Sequence, residues 1–115
     1  MLPKTNRIKK KKDFEIIFKK AKSFRNNLFI LKVIENGLAI NRVGFVVSSK
    51  ISKKAVVRNK VRRRFAEILK NKINNIEKGI DLVFIALPGI EKKDFSEVKD
   101  AINDALVRTK LTTRD

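Results

Sequence analysis

Residues 81–87, DLVFIAL, form an apolar run with no polar residue after Asp81, and Pro88-Gly89 follows it directly. A run of strand length without alternation is typical of a strand that is buried on both faces, at the centre of a sheet. Such a strand needs a neighbouring strand on each side and helices packed against it. The rest of the chain must therefore supply both.

Two further apolar runs have the length of strands. They cover residues 28–35 and 42–48, and the turn signal Glu35-Asn36-Gly37 follows the first. Because a short loop separates them, we expect these two strands to form an antiparallel pair. Another short strand is predicted near residues 23–26.

Three segments carry apolar residues at the three- and four-residue spacing of an amphipathic helix. The first covers residues 13–22, with Asp13 as its predicted N-cap. The longest runs from Lys54 to Ile76, and Gly79 is predicted to end it. Asp94 is the predicted N-cap of the last helix.

The predicted order of elements is α-β-β-α-β-α, in a single domain over residues 1–115. This order favours the α+β class, a two-layer α/β sandwich with a mixed sheet of about four strands and helices mostly on one face. The basic helix would lie within a βαβ crossover, whose hand the pattern leaves open. Residues 1–12 are predicted to form a basic arm that frays.

Charge is distributed unevenly along the chain. There are 29 Lys and Arg against 12 Asp and Glu, a net charge of +17. Residues 1–72 hold 22 basic and 4 acidic side chains, whereas residues 73–115 hold 7 and 8. Such a surplus indicates a polyanionic partner, because released counterions drive binding. Nucleic acid is the expected partner. An anionic membrane surface is the alternative, although the apolar stripe that would insert is needed to cover the sheet.

The composition also bears on chemistry and compartment. Histidine and cysteine are both absent, which excludes thiol nucleophiles, disulfides and thiolate zinc sites and removes the commonest general base. We therefore expect no catalytic residue on the protein. No apolar stretch reaches the ~20 residues that span a bilayer, so a cytoplasmic protein is expected.

Basic residues are concentrated in the longest predicted helix. Its apolar residues occupy one side, and Asn59, Lys60 and Arg63 lie opposite. Glu67 is the one acidic residue between Arg42 and Lys72, so the acidic partners that an ordinary exposed helix carries are missing. Arginine donates paired hydrogen bonds to phosphate, which points to RNA binding by this helix.

The stretch KKAVVRNKVRR, residues 53–63, resembles the Arg-Asn-Arg signature of the protein subunit of bacterial ribonuclease P. The likeness continues at Arg7-Ile8, at DFEIIF (13–18), at RVGFVVS (42–48) and at GIDLVFIA (79–86). The sequence departs from the signature at position 60, where lysine replaces the second arginine.

The resemblance implies a left-handed βαβ crossover, as in domains of ribosomal proteins and translation factors. It also implies a protein cofactor of a ribozyme that removes the 5′ leader of precursor tRNA with Mg²⁺ bound mainly by RNA. The implied partners are ribonuclease P RNA and precursor tRNA, not DNA or membrane. The implied ribozyme-facing residues are Lys53, Lys54, Arg58, Asn59, Lys60, Arg62, Arg63 and Arg64. The implied leader-binding cleft contains Phe14, Phe18, Lys10, Lys12 and Lys50.

Alternatives remain at this stage. One is a structural RNA binder, similar to a ribosomal protein, with no role in processing. Another is a stand-alone metal-dependent nuclease. Phe14 and Phe18, four residues apart on one helix, also fit an ordinary core position. The phenylalanines that are predicted to be core are Phe29, Phe45, Phe65, Phe84 and Phe95.

Overall fold

The computed structural model describes residues 2–110, so Met1 of the predicted arm and residues 111–115 of the predicted domain lie outside the described residues. The helices are α1 (Lys11–Lys20), α2 (Ala55–Lys70) and α3 (Phe95–Arg108). The strands are β1 (Lys22–Arg25), β2 (Phe29–Glu35), β3 (Arg42–Val46) and β4 (Ile80–Ala86). Single turns of 3-10 helix lie at Lys4–Asn6, Ile73–Asn75 and Ile90–Lys92.

The four strands form one mixed sheet in the order β1-β2-β4-β3. β2 is antiparallel to β1 and β4, and β3 is parallel to β4. The predicted central strand and the α+β class with a four-stranded mixed sheet are confirmed. The predicted pairing of residues 28–35 with 42–48 is wrong, because β4 lies between β2 and β3. A strand that is apolar on both faces buries more surface there than at an edge.

The main core lies between one face of the sheet and the helices α2 and α3. Phe65 of α2 is fully buried at its centre, with its ring 5.4 Å from the rings of both Phe45 and Phe84 and 6.0 Å from that of Phe29. β3, α2 and β4 form the predicted βαβ unit. Its left hand stays a prediction.

Helix α1 packs on the opposite face of the sheet. Ile17 of α1 and Val83 of β4 are buried there in a smaller cluster. A Cβ atom at Gly44 of β3 would lie 2.7 Å from the ring of Phe14, so glycine lets α1 approach the strand closely. Two of the three helices thus share one face, as predicted, and α1 covers part of the other.

The basic N-terminal arm is packed against the sheet, whereas the sequence predicts that it frays. Leu2 is 2% exposed within the main core. The backbone amide of Ile8 donates to the carbonyl of Val43 at 3.0 Å, and Asn6 Nδ2 donates to the carbonyl of Asn41 at 2.7 Å. These contacts add the arm to the free edge of β3 over residues 2–8.

The start of α1 differs from the prediction. Lys10 is its N-cap, so Asp13 lies in the first turn, where its Oδ2 accepts from Arg42 Nη1 at 3.3 Å. Arg42 also donates from Nε and Nη2 to the two carboxylate oxygens of buried Asp81, at 2.9 and 2.6 Å. An arginine of β3 therefore ties the first turn of α1 to β4.

The end of α2 also differs. The helix ends at Lys70, although apolar spacing predicts a helix through Ile76. Asn41 donates its side-chain amide to the carbonyls of Ile73 and Ile76, at 3.1 and 3.2 Å. These long-range bonds satisfy carbonyls outside any α-helix, so both isoleucines remain buried beyond its end. Gly79 instead precedes β4, with the positive φ of +82° that favours glycine.

The start of α3 matches the prediction more closely. Asp94 caps the helix, because its Oδ1 accepts from the backbone amide of Glu97 at 2.8 Å. Phe95, predicted to be core, is 42% exposed instead. It is the first residue of α3, so its side chain lies beyond the part of the helix that packs on the sheet.

Candidate nucleic-acid interface

One row of side chains on the α1 face of the sheet is left partly uncovered. Its members stand in register across all four strands, and we call them the open row: Arg25, Ile30, Ile85 and Val46. Side chains alternate along a strand, so this row points to the same face as Val83 two residues away. Val83 is fully buried beneath α1, but the three apolar members of the open row are half-buried.

The position of α1 explains why this row is uncovered. A shallow pocket lies at the far end of the α1 face, lined by Asp13, Ile16, Ile17, Ile34, Glu35, Asn36, Arg42 and Asp81. Residues on one side of α1 thus contact the end of the sheet away from the open row. Helical geometry puts Phe14 and Phe18 on the other side of the Ile17 stripe. They therefore border the open row.

The two phenylalanines of α1 differ in exposure. Phe14 is half-buried against Gly44, whereas Phe18 is 45% exposed, with its ring centre 6.2 Å from that of Phe14. Phe18 thus offers a ring face or edge to a ligand. Phe14 serves mainly to pack α1 on the sheet and to support Phe18.

The lysines predicted for the cleft lie at different places around it. Lys10, Lys12 and Lys50 are all exposed. Lys12 is four residues before Ile16, so it lies on the side of α1 away from Phe18. Lys11, seven residues before Phe18, lies on the open-row side instead. Lys10 precedes Phe14 by four residues, at the N-cap.

Two cations on the floor of this face were missed by sequence reasoning. Arg25 belongs to the open row, and Lys32 stands in the next row, where its Nζ donates to Ser23 Oγ at 2.6 Å. The signal was present in FILKVIE: strand alternation turns Lys32 away from the core-facing Leu31 and Val33.

The residues of α2 that the sequence predicts to bind RNA fall into two groups. Asn59, Lys60 and Arg63 are exposed on one side, which we call the outer face of α2. The remaining arginines donate to protein carbonyls: Arg58 to Ser52 at 2.9 Å, Arg62 to Val47 at 3.2 Å, and Arg64 to Lys93. The eight residues predicted to bind RNA therefore do not form one uniform surface.

The open row and α2 are connected through the loop that follows β3. Val46, the last residue of β3, belongs to the open row, so the chain leaves the sheet there and enters α2 at Ala55. This loop carries Lys50, Lys53 and Lys54, which are all exposed. A loop with three exposed lysines thus links the open row to the N-terminus of α2.

Two carboxylates at the far end of the α1 face, Asp13 and Asp81, are paired with Arg42. The hydrogen bond with Asp81 raises the pKa of the Arg42 guanidinium above its usual value, and attraction to Asp81 and Asp13 adds to this against the effect of burial. Arg42 is therefore a fixed cation. Within residues 2–110, no group of three or more His, Cys, Asp or Glu side chains is placed to hold a metal ion.

Comparison with known families identifies the fold's relatives. The family model for Ribonuclease P matches residues 2–110. The chain belongs to the ribonuclease P protein family. It is 36% identical over 106 residues to the ribonuclease P protein component of Alkaliphilus oremlandii, covering 92% of each chain. It is 39% identical over 104 residues to that of Clostridium botulinum, covering 90% of this chain and 93% of the relative.

Solved structures of the ribonuclease P family have the same fold. The Staphylococcus aureus RNase P protein superposes with a TM-score of 0.86 at 29% identity, over 94% of this chain and 98% of that one. The Thermotoga maritima RNase P protein gives 0.80 at 34% identity, over 89% and 96%. The predicted role as the ribonuclease P protein in tRNA 5′ processing is confirmed, and these comparisons give no support to the ribosomal-protein-like alternative. No helix among the described residues has the length and hydropathy needed to cross a membrane.

Proposed function

We propose that this ribonuclease P protein acts without catalytic residues of its own, by holding the catalytic RNA on one part of its basic surface and the 5′ leader of precursor tRNA on another. The observation that carries the proposal is the loop between β3 and α2, which links the open row to α2 and carries three exposed lysines: Lys50, Lys53 and Lys54. The catalytic RNA and the leader meet at the cleavage site, so they require binding surfaces that are linked on the protein.

The outer face of α2 is the part suited to the structured ribozyme RNA. Lys60 and Arg63 are exposed there, and Glu67 is the one acidic residue of α2. Exposed cations that outnumber their acidic neighbours gain most from phosphate contacts, because they release counterions and lose mutual repulsion. Lys53 and Lys54 extend the same charge to the N-terminus of the helix.

The open row is the part suited to a single-stranded leader. Proteins bind single strands by stacking bases on aromatic rings and by lining the backbone with cations. Phe18 supplies an exposed ring beside half-buried Ile30, Ile85 and Val46. Lys11, Lys32 and Arg25 lie around this apolar floor, where they are positioned to contact the leader phosphates.

The carboxylates that the structure describes on the α1 face do not fit a resident catalytic metal. Asp13 and Asp81, at the far end of the α1 face, are both bound to Arg42, which occupies oxygens that Mg²⁺ would need. We infer that Mg²⁺ is bound mainly by the RNA subunit, which carries the cleavage chemistry. The protein contributes binding and alignment of the two RNAs.

Reconstitution tests this proposal. Precursor tRNA is incubated with the cognate RNA subunit, with this chain, or with both, over a series of Mg²⁺ concentrations. We expect cleavage at lower Mg²⁺ with both components than with RNA alone, and none with the protein alone. Tighter binding of precursor than of mature tRNA is also expected from the holoenzyme. Cleavage by the RNA-free protein would establish the nuclease alternative, and absence of stimulation by the protein would overturn the proposal.

A further inference from the structure

Arg62 makes two contacts that together join the outer face of α2 to the sheet. Its Nη2 donates to the backbone carbonyl of Val47, just beyond β3, at 3.2 Å. Its Nη1 donates to Oδ1 of Asn59, one turn earlier on α2, at 2.8 Å. Arg62 as a whole is half-buried, whereas Asn59 is exposed. Arg62 is thus a bridge from a fixed backbone atom to an exposed amide.

The chemistry of this bridge decides how the Asn59 amide faces outward. A guanidinium has donors but no acceptor, so the atom of Asn59 that meets it must be the carbonyl oxygen. The Nδ2 amino group then points away from Arg62. The outer face of α2 therefore presents N–H donors at Asn59, beside the cations Lys60 and Arg63, which is the polarity that phosphate and other RNA acceptors require.

We propose that Arg62 is a positioning residue: it fixes the side-chain amide of Asn59 with its two N–H donors directed at the ribozyme RNA, and it does not itself bind phosphate. The inference rests on the proposed function, which assigns the outer face of α2 to that RNA. Lysine at position 62 keeps the charge, but its ammonium lacks the planar fork that reaches both acceptors.

A double-mutant cycle on the full chain tests the inference. Affinity for the cognate ribonuclease P RNA is measured for the wild type, Arg62→Lys, Asn59→Ala and the double variant. We expect Arg62→Lys to weaken binding by up to about tenfold, the effect of one lost hydrogen bond. In the Asn59→Ala background the same substitution should change affinity by less than about twofold. Equal costs of Arg62→Lys in the two backgrounds, or no cost in either, would overturn the inference.

Two control variants distinguish a failure of the Arg62 bridge from a failure of the proposed RNA-binding surface on α2. Arg63→Lys makes the same chemical change on the outer face, and its cost should be the same with and without Asn59. Arg63→Ala should lower the slope of log affinity against log salt by about one unit. An unchanged slope and affinity for Arg63→Ala would contradict the assignment of α2 to the ribozyme RNA, which is a failure of the proposed function rather than of the bridge.

A measurement on the free protein tests the bridge without RNA. We expect the NMR resonances of the Asn59 side-chain amide to report a rigid group in the wild type and a mobile one in Arg62→Lys. The Asn36 amide, which donates to Asp81 Oδ1 at 2.8 Å and to the Ile40 carbonyl at 3.1 Å, should stay rigid in both proteins. An Asn59 amide that is equally mobile in both proteins would overturn the inference.

Discussion

The two faces of the sheet use the same strands but are covered to different extents. On the α2 and α3 face, Phe29, Leu31 and Phe84 are fully buried. On the α1 face, Ile30 and Ile85, which alternate with them along β2 and β4, are half-buried. One face therefore supplies most of the burial that stabilises the fold, and the other keeps apolar surface available for a ligand. Substitutions on the two faces should separate stability from RNA binding.

The largest expected effect is a loss of stability on the face of the sheet that α2 and α3 cover. Phe65→Ala removes a ring that contacts three other phenylalanines in the main core, and it should lower the free energy of unfolding by about 3–5 kcal/mol. Urea denaturation followed by circular dichroism measures the loss. A change below about 1 kcal/mol would mean that the four-phenylalanine cluster is not the centre of stability.

A smaller effect, on RNA binding rather than on stability, is expected on the α1 face. Phe18→Ala should weaken precursor tRNA binding by the holoenzyme by about 1–3 kcal/mol, the value of one base–aromatic stack, and leave mature tRNA binding unchanged. Because Phe18 is 45% exposed, the loss of folding stability should be well below that of Phe65→Ala. Competition binding with leaders of different length measures the first effect and thermal unfolding the second.

A matched variant exists for this experiment. Phe95 is 42% exposed and lies on α3, on the other side of the sheet. Phe95→Ala should therefore reproduce any modest loss of stability without a change in leader affinity. Equal losses of leader affinity in the two variants would show that exposed aromatic surface in general, and not the cleft beside α1, accounts for binding.

The contrast between the faces was only partly predictable from the sequence. The unbroken apolar run of β4 correctly predicted a central strand, because burial on both faces leaves no polar positions. The order of the other strands was not predictable in the same way, because the sequence patterns of β2 and β3 are compatible with either strand as a neighbour. Hydrogen bonds between distant residues decided further details: Asn41 holds the segment after α2, 32 and 35 residues away.

The candidate site was likewise only partly predictable from the sequence. A basic helix with few acids could be identified from composition and spacing alone. Which of its arginines face solvent depends on acceptors elsewhere in the chain, such as the carbonyls of Val47 for Arg62 and Lys93 for Arg64. Lys32 was overlooked because a single lysine within an apolar strand is typical of an ordinary solvent-facing position. Its relevance depends on the placement of α1, which leaves that part of the face uncovered.

The smallest expected effect concerns Lys32 itself. If its ammonium contacts one leader phosphate, Lys32→Ala should reduce the salt dependence of precursor tRNA binding by about 0.7 of a unit, the value for a single-stranded contact, and leave the salt dependence for mature tRNA unchanged. Lys99→Ala, which removes an exposed lysine of α3, should change neither. Folding stability should be unaffected, because the Lys32 hydrogen bond to Ser23 is exposed.

Precursor and mature tRNA must be compared in the same salt series, because a cation that acts only through the general field of the protein contributes equally to the binding of both. A loss of slope that is equal for the two tRNAs would therefore assign Lys32 to that field and remove it from the leader path. A loss confined to the precursor, together with the Phe18→Ala result, would establish that bases and phosphates of one strand lie along the same uncovered face of the sheet.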